Sequence, residues 1–266
     1  MPFFSPSESL SIFYTTTGSP SNPPVLLIHG WGCDSHDWSW QIPFLSKTYY
    51  VIAHDSRGHG RSSASESIEL SGEAFVADAV SLLRHLGIEK DVLVVGHSMG
   101  GVIASALAVM EEGLVKGLVL VEPAYIYPGA VYDALHESRK GLDVMDWASA
   151  SYETLFTDAV LDWMRTWYLR RLQSTPKYVI SGCMDGFYIR EEGIGRFENH
   201  KLLVAKRTIP KLVVVANTQS VDKEKEIGLG KLDELIFMEG GGHWLHQAKS
   251  EEFNAAITKW LERING

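Results

Sequence analysis

The chain has 266 residues, enough for one large α/β domain or a domain with an insertion, and 45% of them are hydrophobic, which suits a soluble protein with a sizeable core. A formal charge of −9 argues against a nucleic-acid partner, because phosphate contacts need a basic footprint, and against docking on an anionic membrane. Two cysteines, Cys33 and Cys183, make no disulfide framework, the opening Met1-Pro2-Phe3-Phe4-Ser5-Pro6 lacks a basic leader, and no apolar run approaches the length of about 18 residues needed to span a membrane. A cytoplasmic protein is the expectation.

The elements alternate along the chain. Residues 10–17 alternate apolar and polar and read as an edge strand. Val25-Leu26-Leu27-Ile28 is a short buried strand ending at His29-Gly30-Trp31-Gly32. Residues 37–45 read as a helix and Tyr50-Val51-Ile52-Ala53 as the next strand. Over 71–86, Phe75, Val76, Ala79, Leu82, Leu83 and Leu86 recur at helical spacing, with Ser71 as the N-cap and Gly87 as the stop. Val92-Leu93-Val94-Val95 and Leu118-Val119-Leu120-Val121 are buried strands on either side of an apolar helix starting near residue 99. Apolar strands alternating with helices predict a mostly parallel central sheet with helices on both faces.

After Glu122-Pro123 the rhythm changes. Residues 125–205 hold helical patterns, many aromatics and no convincing buried strand. Strands resume at Leu212-Val213-Val214-Val215 and Leu235-Ile236-Phe237-Met238, and an amphipathic helix closes the chain over 251–264. The predicted organisation is a core of residues 1–124 and 206–266 interrupted by a helical cap of residues 125–205. Such an insertion belongs over the C-terminal ends of the strands, where open α/β sheets bind ligands.

Gly96-His97-Ser98-Met99-Gly100 carries the pattern G-x-S-x-G between a buried strand and a helix. A serine on so tight a turn takes strained backbone angles, and glycines two residues away on each side leave room for it. Its hydroxyl then stands at the positive end of a helix, where an oxyanion can be stabilised. No C-x-x-C, H-E-x-x-H or G-x-G-x-x-G occurs, so neither a metal nor a cofactor is expected. Asp55-Ser56-Arg57-Gly58-His59-Gly60-Arg61-Ser62 lacks phosphate-loop spacing and reads as a turn in which Asp55 and Arg57 form hydrogen bonds and an ion pair.

Taken with His29-Gly30-Trp31-Gly32, the Asp55–Ser62 turn and Gly240-Gly241-Gly242-His243-Trp244, the elbow resembles that of α/β-hydrolases with a helical cap, over nearly the whole chain. The resemblance implies an α/β-hydrolase fold and a triad in the order Ser, acid, His. Ser98 is then the nucleophile and His243 the base, with His246 the weaker competitor; His97, facing away from Ser98 by alternation, is structural. The acid departs from the commoner pattern. The slot after Val215 holds Asn217, Thr218 and Gln219, and the first carboxylate there is Asp222. Glu122, at the end of the strand after the elbow helix, is the preferred acid, a placement similar to that in zearalenone-type lactonohydrolases, with Asp222 the alternative. The backbone amides of Trp31 and Met99 form the expected oxyanion hole. Gly32, Tyr125, Trp147 and Tyr188 are candidate substrate contacts.

The function so implied is hydrolysis of a small-molecule ester or lactone, bulky and apolar, through an acyl-enzyme. Two rivals stay open: C–C hydrolysis of a dienol-type diketone by the same triad, and a slow-turnover ligand receptor on a hydrolase scaffold. A homodimer is also left open, since cap helices can carry dimer contacts.

Overall fold

The computed structural model describes residues 3–63 and 65–265; the first two residues of the segment read for a leader lie outside them. Its centre is an eight-stranded sheet of β1 (Phe3–Ser7), β2 (Leu10–Thr17), β3 (Pro24–Ile28), β4 (Tyr50–His54), β5 (Val92–His97), β6 (Val115–Val121), β7 (Lys211–Val215) and β8 (Glu234–Phe237). The order is β1-β2-β4-β3-β5-β6-β7-β8. The pairings from β4 through β8 are parallel; β1 and β2 join antiparallel.

Side chains alternate between two cores. Leu26, Ile28, Val94 and Leu120 face one way, packing with α2 (Gly72–His85) and α3 (Met99–Met110). Val25, Leu27, Val95 and Val121 face the other, against Phe253, Ile257 and Trp260 of the C-terminal helix (Ser250–Asn265). Burial on both faces explains why these strands read as unbroken apolar runs.

Between β6 and β7 lie α4 (Gly129–Ser138), α5 (Val144–Glu153), α6 (Asp162–Ser174), α7 (Lys177–Met184), a π turn at Asp185–Ile189 and α8 (Phe197–Val204), extra helices that form a cap. Their inward residues, among them Tyr152, Tyr168, Leu172, Val179 and Ile180, join the first core.

The structure departs from the sequence reading at the sheet edge, over residues 37–45 and at Arg57. The sheet edge is β1 rather than 10–17; Pro6, which has no N–H to give a ladder, is tolerated there because one side of an edge strand needs no partner. The helix expected over 37–45 is broken into a 3-10 turn (Ser35–Trp38) and α1 (Ile42–Leu45), because Pro43 suits a first helical turn and not an interior. The slot after β7 folds as α9 (Thr218–Ile227), capped by the Asn217 side chain, which accepts from the Ser220 amide at 2.7 Å. Arg57 pairs with Asp78 of α2 at 2.6 Å and not with Asp55, whose carboxylate instead accepts the Ser35 and Arg61 amides, each at 2.8 Å.

β3 is flanked by β4 on one side and β5 on the other, so successive connections diverge there. A crevice opens at the carboxyl ends of β3 and β5, the topological switch point where such sheets bind ligands.

Candidate active site

Ser98 follows β5 directly, with φ 54° and ψ −116°, a conformation a non-glycine residue holds only when its surroundings over-determine it. Its amide donates to Val121 O at 2.9 Å and its carbonyl accepts from Gly101 and Ala124. Gly100 makes the turn feasible: a Cβ there would sit 2.2 Å from Ile28 O. Glu122, at the end of β6, also has positive φ, 41°. Its Oε1 accepts the Ala216 amide, and its Oε2 accepts from Asn217 Nδ2 at 3.1 Å. The slot that held no carboxylate in the sequence thus supplies the amide that steadies one.

His243 sits in the loop after β8, where Gly240 and Gly242 adopt positive φ. Its Nδ1 lies 3.8 Å from Glu122 Oε2, an ion-pair distance longer than a hydrogen bond. Burial pushes the imidazole below its ordinary range, with Glu122 pulling upward and His97 adding to the decrease. Asp222 is exposed on α9 and lines none of the cavities that reach His243. His246 is buried, with Nε2 3.1 Å from the Asp37 carbonyl. His97 is buried beside Ser98 and His243, its Nδ1 2.7 Å from Asp37 Oδ2.

Among the described residues, the backbone amides of Trp31 and Met99 find neither a backbone nor a side-chain acceptor. Trp31 is fixed from the cap side: its indole donates to Ile180 O at 3.0 Å, and its carbonyl accepts from the Tyr152 hydroxyl. Ser98, Trp31 and His243 line a small cavity of about 40 Å³ and open into a larger one of about 650 Å³. The larger is walled by Tyr127, Tyr132, Leu135, Trp147, Met184 and Tyr188. Two of the four candidate contacts, Trp147 and Tyr188, therefore face it. Tyr125 and Gly32 lie elsewhere: Tyr125 is buried against His200 and donates to Glu224 Oε1 at 2.6 Å, while Gly32, at φ 64°, is closed over by Leu172 and Tyr152.

Cys33, Asp37 and His97 bring potential ligand atoms within 4.8 Å of one another. They do not fit a metal. The His97 and Asp37 atoms are committed to each other, and Asp37 Oδ2 also accepts the Gly30 amide, so neither is free to turn to an ion. The sequence reading missed Asp37 and Asn217, since a lone Asp or Asn in a loop carries no periodic signal.

A serine on a strand-turn-helix elbow, on a mostly parallel sheet beneath a helical cap, is the architecture of α/β-hydrolases. The model described as the alpha/beta hydrolase family matches residues 25–256, and the chain belongs to that family. It is 45% identical over 102 residues to a non-heme haloperoxidase of Rhodococcus erythropolis, a match covering 38% of this chain and 36% of that protein. The alignment thus spans little more than a third of that relative. At 24% identity it matches the (E)-2-((N-methylformamido)methylene)succinate hydrolase of Acinetobacter baylyi over 90% of both chains. A hydrolase from Pseudomonas aeruginosa superposes with a TM-score of 0.82 at 21% identity, over 97% of both chains. An esterase from Exiguobacterium antarcticum superposes at 0.80 with 18% identity, over 98% of both, and these two likenesses establish fold alone. No helix among the described residues is long and apolar enough to cross a membrane.

Proposed function

We propose that this chain is a serine hydrolase that cleaves a carboxylic ester or lactone of a bulky apolar substrate. One observation carries the reading: Ser98, at positive φ, lines one apolar cavity with Trp31 and His243, and the Trp31 and Met99 amides find no acceptor among the described residues.

Ser98 Oγ attacks the carbonyl carbon as His243 takes its proton. The carbonyl oxygen becomes an oxyanion held by the Trp31 and Met99 amides. Collapse breaks the C–O bond, and His243 returns the proton to the leaving alkoxide, leaving an acyl-Ser98. Water, deprotonated by His243, attacks that acyl group, and Ser98 leaves with the proton restored. In a lactone the leaving alcohol stays tethered to the acyl part. Glu122 faces Nδ1, where it holds the tautomer and offsets the imidazolium charge. The placement of this acid, similar to that in zearalenone-type lactonohydrolases, favours the lactone half of the reading. The aromatic wall favours a large, flat or ring-bearing substrate.

A fluorophosphonate should modify Ser98, and Ser98→Ala should lose both labelling and turnover on an ester and lactone panel while keeping its melting temperature. Modification elsewhere, or full turnover in Ser98→Ala, overturns the reading. Turnover of a dienol diketone alone would instead move it to C–C hydrolysis.

A further inference from the structure

Behind the reacting groups lies a buried polar cluster that the steps above leave unused. Its centre is Asp37, wholly buried in the turn after β3. Asp37 Oδ2 accepts the Gly30 amide at 3.2 Å and meets His97 Nδ1 at 2.7 Å. Asp37 Oδ1 accepts from Gln247 Nε2 at 2.8 Å and lies 3.7 Å from the Arg171 guanidinium of α6. The other ring nitrogen, His97 Nε2, faces the carbonyl oxygen of His243 at 3.0 Å.

Donor counting fixes the protons. A carbonyl oxygen only accepts, so Nε2 must carry hydrogen. A carboxylate that takes N–H groups on both oxygens beside a guanidinium is ionised, so Nδ1 must carry hydrogen too. A ring with both nitrogens protonated is an imidazolium. Burial pushes His97 the other way, toward its neutral form, and the Asp37 charge opposes it. Burial would also raise Asp37, yet His97 and His246 hold it well below the usual carboxylate range. The titratable groups around His97 are Asp37 and Cys33 from the turn after β3 and His243 and His246 from the loop beyond β8; Arg171 of α6 reaches it through Asp37.

We propose that Asp37 and His97 are positioning residues: a doubly protonated His97, held by the Asp37 carboxylate, ties the His243 loop to the Trp31 turn and fixes both against Ser98. The connection is short in sequence as well as in space. Gly30 precedes Trp31, and His97 precedes Ser98. One carboxylate therefore sets the spacing of oxyanion donor, nucleophile and base. The His97 cation also sits with its ring centre 4.8 Å from that of His243, where it opposes protonation of the base.

The inference rests on the roles given to Ser98 and His243 above, and two measurements separate its failure from theirs. The first is the rate of Ser98 modification by a fluorophosphonate against pH, in wild type, Asp37→Asn and His97→Asn. Both variants should label at least about tenfold more slowly, since sub-ångström misplacement of reacting groups is costly. In His97→Asn the acidic limb should move to higher pH, because His243 no longer faces a cation; in Asp37→Asn the lost carboxylate, which favours a protonated His243, offsets that rise. A merely structural role would lower the folded fraction and leave the limb where it was. The second measurement is nitrogen-15 NMR of the histidine rings in Ser98→Ala at pH 7, where both His97 nitrogens should carry protons. Wild-type rates with an unmoved limb in folded variants, or a singly protonated His97, overturn the proposal. If the variants do not fold, the NMR result decides alone. Wild type that fails to label at Ser98 defeats the hydrolase reading, and the NMR still decides the state of His97.

Discussion

Ser98 and Glu122 share an uncommon property: each is a non-glycine residue in left-handed backbone, and each ends a central parallel strand. Strain of this kind costs about 1–3 kcal/mol per residue and persists where side-chain direction is worth more than backbone comfort. For Glu122 the direction is toward His243, while Ala216 and Asn217 keep its carboxylate in place. In the proposed mechanism, removing that charge leaves the imidazolium without its partner and frees the tautomer. Glu122→Gln should therefore lower kcat by roughly 10³–10⁴ with KM little changed, by analogy with loss of the acid in other serine triads. Asp222→Asn, an exposed change on α9, should stay within about twofold of wild type, as surface substitutions do. Steady-state kinetics on one ester decides it; loss confined to Asp222→Asn would return the acid to the commoner slot.

The elbow works only because three elements approach more closely than side chains allow. A Cβ on Gly100 would lie 2.2 Å from Ile28 O and 2.6 Å from His29 O, both rigid backbone of β3 and its exit turn. Neither oxygen can withdraw without breaking the β3–β5 pairing that sets the crevice. Gly100→Ala should cost about 3 kcal/mol, the upper end of overpacking penalties, and move the urea midpoint down accordingly. An unchanged midpoint would mean that α3 can slide along β5. This element was legible in the sequence because its signal is local: an apolar run, a glycine-spaced serine and an apolar helix adjoin. The cap was legible as helical for the same reason, but what its side chains touch was not. Tyr125 looked like a pocket residue by position, and the structure spends it on Glu224 and His200. The Asp37 cluster was illegible because its members come from residues 30, 37, 97, 171, 243 and 247, which only the folded chain brings together.

Among the described residues burial pulls five histidines, His54, His59, His97, His200 and His243, below their ordinary range, and three of them furthest. His54, His59 and His200 lie in the described core, and burial lowers each from 6.5 to about 3. The unfolded chain protonates all three as pH falls through 6.5, while the folded chain refuses those protons until about pH 3. Their effect on stability is therefore negligible well above pH 6.5, sets in as the unfolded rings titrate near 6.5 and grows as a loss below it. Two groups act in the opposite direction. Asp78 has its pKa raised, chiefly by burial, and His36, about half exposed, has its pKa raised by Asp34; protonating either favours the folded state, the His36 part being weakened by solvent. Each buried histidine costs at most about 1.4 kcal/mol per pH unit, a slope reached only well below 6.5, so the three together remove roughly 3 kcal/mol between pH 6.5 and 5.5. Against a typical total of about 5–15 kcal/mol, that is enough to bring the urea midpoint down steeply. Urea melts at pH 7.5, 6.5 and 5.5 should show a small fall over the upper interval and one about three times larger over the lower. His200→Phe, which keeps an aromatic ring against Tyr125 and removes one titrating group, should reduce the fall by at most about a third at unchanged m-value. A stability that stays level to pH 5.5 would show that water reaches these rings in the native state, and that the cores around them are looser than their burial implies.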